Sequence, residues 1–379
     1  MMQRSLFAAG LAASILAGAA GPLRAQTTGP ASLADLVAQA NREGSLRATI
    51  QASWNRAVIP PLADAFKKRF GLTIDVSLTN VAPAVQFPLD IAQTKAGSAP
   101  TYDVEEGDDA ETMQLIGGGG VQAVPHWQEL LSAINPDFAA KKVALAQISR
   151  TPFEGTAFLF MANVKQLVYN PKVTNAADLP KTHAELAQAK YAGKFVQPPW
   201  TAHWEMAPEL IRGTDRDAVV ALIRASAKNT GAVLFEGEGV QRMLLGQYAF
   251  VLGQDAFIRD TLARDPQAPI AGAFFRDYNQ LNSVYYSVRT RTPHPAAAAL
   301  WALWMTTPEA EAIWQGVNRS FVPYGSSAID VAERQQLRNE RVNVVGYLDN
   351  AATIGYLRWQ QTPEGARYLS AMAKAIRGE

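Results

Sequence analysis

Apolar and polar positions alternate between two periods along the first third of the chain. Ser32 precedes Leu33, Leu36, Val37 and Ala40, which share one helical face, with Asp35 three residues after a capping serine and Gly44 as a stop. Leu46, Ala48, Ile50 and Ala52 then alternate with Arg47, Thr49 and Gln51, the period of a strand. After a turn at 53–55, Pro60 and Pro61 open a helix whose apolar face is Leu62, Ala65, Phe66 and Phe70, ended by Gly71. Leu72, Ile74, Val76 and Leu78 predict a second strand, 89–95 a helix ended by Gly97, and 102–106 a third strand that delivers Gly107, Asp108 and Asp109 to a helix reaching Ile116. Strands and helices alternating at this spacing predict βαβ units, an α/β fold and a largely parallel sheet covered on both faces. In such sheets ligands gather at the carboxyl ends of strands, here the turns holding Trp54, Asn55, Asp108 and Asp109.

The N-terminus changes this picture only by adding a leader. Arg4, an apolar run over 6–20 and Ala25 predict a secretory signal peptide over 1–25, with cleavage after Ala25 or, alternatively, Ala20. The run is too short to cross a bilayer, and no later stretch is long and apolar enough, so no direct membrane insertion is expected. The chain has no cysteine, which excludes disulfides and a lipid-anchored mature N-terminus. The expectation is a freely diffusing, monomeric periplasmic protein. With 48% hydrophobic and 18% charged residues, the composition is globular and the length implies two domains. The net charge of +1 falls to about −1 once Arg4 and Arg24 leave with the signal, which indicates no nucleic-acid partner.

No catalytic constellation emerges. His126, His183, His203 and His294 are scattered, and His126 with Glu129 makes no metal site alone. No Gly-x-Ser-x-Gly elbow exists, and Gly325-Ser326-Ser327 reads as a loop or helix cap. The glycines at 117–120 lack the flanking strand, helix and lysine of a phosphate cradle and read as a helix stop. Glu236 with Glu238 is a carboxylate pair of the kind common on solvated loops. No enzyme activity, cofactor or metal is expected.

From Tyr102-Asp103-Val104 onward the chain resembles the bacterial extracellular solute-binding proteins that serve polyamine, ferric-iron and thiamine importers. The resemblance runs in order through Val168-Tyr169-Asn170-Pro171-Lys172-Val173, Leu179-Pro180-Lys181-Thr182, Lys190-Tyr191-Ala192-Gly193-Lys194-Phe195, 244–250 and 296–310. His183, Ala192 and Gln247 depart from the family's usual tryptophan, lysine and glutamate. The resemblance implies two α/β lobes joined by crossing strands, a ligand cleft between them and closure about a hinge. It places the first crossing near 153–163 and the return near 279–289. The lobes then take residues 32–157 and 158–284, with 285–379 returning to the first lobe and adding C-terminal helices. The implied partners are a small-molecule ligand and an inner-membrane permease of an ABC-type importer; a secreted two-lobed hydrolase or lyase is the alternative from another class.

Residues expected at the cleft are Trp54 and Asn55 after the first strand, Asp108 and Asp109 after the third, and Asn163 at the first crossing. Trp200, Glu236, Glu238 and Asp255 lie on second-lobe turns, and Asn282 and Tyr285 on the return strand. Each tryptophan could instead cover a core edge, and each carboxylate could cap the helix after it. Tyr285-Tyr286 resembles an iron-binding tyrosine pair, but neighbours on a strand face opposite ways. The acids Asp103, Glu105, Glu106, Asp108 and Asp109, facing Glu236, Glu238 and Asp255, favour an organic cation such as a polyamine or thiamine-like amine, with tryptophan faces for the charge. An organic anion, a sugar or iron stays open.

Overall fold

The computed structural model describes residue 30 and residues 32–51, 54–81, 83–211 and 215–379. The expected signal peptide lies outside the described residues. Ten strands form the sheet: β1 Ser45–Gln51, β2 Asp75–Val81, β3 Val104–Asp108, β4 Ala157–Tyr169, β5 Phe195–Gln197, β6 Thr230–Val233, β7 Phe250–Gln254, β8 Ala271–Ala273, β9 Asn279–Val288 and β10 Val344–Gly346. Their order is β2-β1-β3-β9-β4-β7-β5-β6, with β8 beside β4 and β10 beside β9. β1, β2 and β3 are mutually parallel, as are β5, β6 and β7, whereas β4 and β9 run antiparallel to each other.

The first helix, Leu33–Glu43, begins at Ser32, whose hydroxyl accepts from the Asp35 amide, and stops at Gly44 in the left-handed region (φ 74°). The helix Ile59–Phe70 ends in the same way at Gly71 (φ 63°). Three boundaries move from those the pattern predicts. β2 starts at Asp75, because Leu72 and Ile74 bury their side chains from the connection before the ladder begins. β3 lies two residues later than expected, so Asp108 is both its last residue and the N-cap of the helix Asp109–Gly117. The helix Glu236–Leu244 starts at Glu236, which places both glutamates in its first turn.

β4 and β9 tie the two halves of the sheet together. β9 pairs with β4 from Ala157↔Ser287 to Val164↔Leu281, and beyond that point β4 turns to β7 and β8, from Lys165↔Gln254 to Tyr169↔Phe250. β10 joins β9 at Asn279–Leu281. One core holds the lobe of β1–β3, with Phe66, Trp54, Trp301, Trp304 and Trp314 packed together. The C-terminal helices do not follow that lobe alone. Tyr356, Tyr368, Met372 and Ile376 share a core with Trp204, Val219 and Ile223. The helix Ala351–Gln360 touches both Asp109–Gly117 and the short turn Ala207–Leu210.

Glu106 carries an unusual cost inside the first lobe. It is 1% exposed, and neither carboxylate oxygen has a hydrogen-bond partner among the described residues. Burial therefore pushes its carboxyl well above the ordinary range. The folded form keeps a proton that the unfolded chain gives up at an ordinary carboxylate pKa. The stability that proton supplies is complete below the ordinary value and is lost as pH rises towards the folded one. Glu106→Gln should match the native protein in urea unfolding at pH 4. At pH 8 it should be the more stable of the two.

Candidate ligand-binding cleft

Strand direction decides where a ligand can sit. β3 ends at Asp108 opposite Val284, close to the point where Asn282 pairs with Asn163, and β7 ends at Gln254 opposite Lys165. The carboxyl ends of the parallel strands of both lobes thus converge on the place where β4 changes partners, the favoured ligand position in open α/β sheets.

On the first-lobe side Asp108 closes a capping box. Its Oδ1 accepts from the amides of Ala110 (3.0 Å) and Glu111 (2.9 Å), while Glu111 Oε2 accepts from the Asp108 amide (3.0 Å). Burial and then the negative charge of Glu205 raise the Asp108 carboxyl to about 6, against the opposing charge of Lys165. Burial and the Asp108 charge push Glu111 well up as well. Asp109 is buried beneath, accepting from the Tyr285 hydroxyl (3.0 Å) and the Ser283 amide (3.3 Å). Burial, then Asp108, raises its carboxyl strongly. Tyr286 faces the other way and donates to the Thr49 carbonyl (3.0 Å), so the two tyrosines do not converge.

On the second-lobe side Glu236, 5% exposed, meets Lys165 Nζ at 3.1 Å and His203 Nε2 at 3.6 Å. Lys165 also donates to Gln254 Oε1 (3.0 Å). Burial alone would raise Glu236, but the Lys165 charge and His203 outweigh it and hold the carboxyl below its ordinary value. Burial lowers His203 to about 4 despite Glu236, so its ring is neutral at pH 7. Glu205, on the same loop as His203, accepts from the Thr201 hydroxyl (2.6 Å) and the Tyr347 hydroxyl (2.9 Å). Trp200 is half-buried, and its ring centroid lies 5.5 Å from that of the exposed Phe235.

The expected residues divide accordingly. Asp108, Asn163, Trp200, Glu236 and Asn282 lie at the converging strand ends, and Asn163 Oδ1 is buried without a partner among the described residues. Asp109 and Tyr285 are engaged with each other at that end. Asp255 accepts from the Val164 amide (3.1 Å) and pairs with Arg259 (2.9 Å), fixing the crossing strand. Trp54 is not an exposed platform: it is 3% exposed and stacks on Trp314 with centroids 5.8 Å apart. Asn55 is exposed and caps the turn that follows, and Glu238 is exposed and pairs with Arg242 (2.7 Å) one helical turn on.

The acidic run does not face the cleft as a block. Asp103 pairs with Arg47 (2.9 Å), Glu105 pairs with Arg289 (2.8 Å) together with Asp90 (2.7 Å), and Glu106 is in the core. Lys165, Glu111, Glu205 and His203 are the cleft groups that the pattern of the sequence did not single out. No group of three or more His, Cys, Asp or Glu among the described residues is placed to hold a metal ion. Lys165→Met should destabilise the fold by about 3 to 5 kcal/mol in chemical denaturation, because it strands a buried carboxylate, and adding Glu236→Leu should recover most of that loss.

The fold has clear counterparts among known proteins. Iron-bound HitA from Pseudomonas aeruginosa superposes with a TM-score of 0.64 at 15% identity, over 87% of this chain and 99% of that one. MotA from A. tumefaciens B6 in complex with glucopine gives 0.61 at 17% identity, over 87% and 98%. The Trichodesmium IdiA (FutA) protein with iron and citrate gives 0.61 at 16%, over 88% and 99%. At these identities the likeness shows a shared fold. No curated protein sequence matches the chain. Residues 61–338 match the family described as bacterial extracellular solute-binding protein, and the chain belongs to that family.

Proposed function

We propose that this protein is a periplasmic receptor that captures a small organic cation in the cleft and delivers it to the inner-membrane permease of an ABC-type importer, without catalysis. The observation that carries the ligand class is the crowding of Asp108 and Glu111 with Glu205 from the other side of the cleft, whose negative charge adds to burial in raising both carboxyls. Lys165 offsets this only in part, because it is bonded to Glu236 and Gln254. A ligand ammonium would relieve the repulsion that burial amplifies. Trp200 offers an indole face beside it, worth roughly 0.5 to 2 kcal/mol to a cation. A polyamine or a thiamine-like amine fits these features. The signal-like N-terminus supports export, and the absence of cysteine speaks against a lipid anchor.

Solved relatives of the same fold hold iron, iron with citrate, or glucopine, so calorimetry should span spermidine, thiamine, ferric citrate, citrate and a neutral sugar. The cationic reading expects micromolar binding of an amine that strengthens from pH 5 to pH 8, since Asp108, held at about 6, must lose its proton to meet a cation. Asp108→Asn keeps the helix cap but removes the charge. It should weaken amine binding about tenfold, equivalent to about 1.4 kcal/mol, and flatten the pH dependence. Tight binding of citrate or ferric citrate, strengthened by that substitution, would overturn the reading.

A further inference from the structure

Glu205 brings negative charge from the second-lobe side to bear on Asp108, and both of its oxygens are engaged. Oε1 accepts from the hydroxyl of Thr201 (2.6 Å), four residues earlier on the same loop, and Oε2 from the Tyr347 hydroxyl (2.9 Å). Thr201 moves with that loop, so it cannot fix the carboxylate relative to the rest of the molecule. Tyr347 can. It directly follows β10, which pairs with β9 over Asn279–Leu281, just before Asn282 meets Asn163 at the crossing. The turn around it is closed by Asp349, which accepts from the Gly346 amide (2.6 Å) and from Arg150 (3.4 Å).

A phenol has one proton to give, and its other partner decides where that proton goes. Gln360 Nε2 donates to Tyr347 Oη (2.8 Å), which occupies a lone pair and leaves the proton for Glu205. Tyr347 and Gln360 are both buried, so water does not compete for either bond. Burial and then the Glu205 charge push the phenol well above its ordinary range, and it stays a donor. Tyr347, Asp349 and Gln360 all lie beyond residue 338, where the family match ends, whereas Glu205 lies inside it. We infer that Tyr347 is a positioning residue for ligand binding: with Gln360 behind it, its hydroxyl fixes the direction of the Glu205 carboxylate opposite Asp108 and so sets how tightly the cleft holds a charged amine. Tyr347 can act in this way only if the cleft takes a cation, as proposed above. Tyr356 supplies the contrast. Its ring stacks on Tyr347 with centroids 6.4 Å apart, but its buried hydroxyl has no partner among the described residues.

The test is calorimetry with spermidine and thiamine on the mature protein, on Tyr347→Phe, on Glu205→Gln and on the two combined. Tyr347→Phe should weaken binding of the amine that the native protein takes by about tenfold, the loss expected for a hydrogen bond to a charged group. In the Glu205→Gln background the same change should cost less than about twofold, because a residue that acts only through another has nothing left to act on. Gln360→Met keeps the phenol but removes the donor that aims it; it should cost about threefold, and it carries the test if Tyr347→Phe does not fold. Tyr356→Phe removes a hydroxyl from the same stack and should leave amine affinity unchanged. Native affinity in Tyr347→Phe and Gln360→Met would overturn the positioning role and leave the cationic cleft standing. So would an equal loss from Tyr347→Phe in both backgrounds, or a matching loss in Tyr356→Phe. Failure of the native protein to bind either amine would overturn both.

Discussion

The thirteen residues of β4 are all buried, and the rest of the molecule is arranged around that fact. A strand shared by two lobes cannot be purely apolar if a polar ligand is to be held where it crosses. β4 therefore carries Asn163, Lys165 and Gln166 within an otherwise apolar run. Lys165 must be compensated from outside the strand, because an unpaired buried charge costs several kcal/mol, whereas Asn163 Oδ1 and Gln166 Oε1 are buried without a partner among the described residues. Lys165 obtains Glu236 and Gln254 from the second lobe, and the Val164 amide obtains Asp255. The crossing point is thus held by second-lobe side chains.

On β3 the two-residue period of a strand sorts the charges. Glu105 points to Arg289 and Asp90, while Glu106 points into the tryptophan-rich core on the other face. The arginines that neutralise Asp103 and Glu105 come from β1 and from the turn after β9, so the first lobe consumes its acids internally. What reaches the cleft is the pair at the helix start, Asp108 and Glu111. Their mutual hydrogen bonding serves the helix, and on the proposed reading their carboxyl groups also meet the ligand.

Much of this was legible in the sequence, because the periodicities that mark strands also mark their carboxyl ends. The crossings that the resemblance implied near 153–163 and 279–289 fall on β4 and β9, and the period of the third strand put Asp108 at its carboxyl end. Side-chain direction was less accessible. Trp54 follows β1 as expected, but it turns inward because Trp314, from the far end of the chain, arrives to stack on it. The sequence placed Glu236 and Glu238 on a turn, since Gly237 and Gly239 are poor helix formers. The structure requires Gly239 there, since a Cβ would come within 2.9 Å of Val196. Lys165 did leave a signal: a lone lysine inside an apolar strand is almost never fully buried unless paired. Glu205 left none, as its loop has no periodicity and its partner Tyr347 comes from the C-terminal segment.

That C-terminal segment bears on how the cleft works. Tyr347 holds Glu205, and the helix Ala351–Gln360 rests on the Asp109–Gly117 helix of the first lobe as well as on the second. The acids on the two sides of the cleft are therefore kept within electrostatic reach of each other by packing outside it. In a medium of low effective dielectric, like charges so placed repel more strongly than they would in water. On the proposed reading, an empty cleft has this repulsion working against closure, and a bound cation removes it. The differential affinity for the closed form that a ligand needs in order to shift a two-state equilibrium would come from those carboxylates rather than from new apolar contact. A neutral ligand of the same size would fill the cleft without relieving the repulsion, and would leave the lobes nearer the open arrangement.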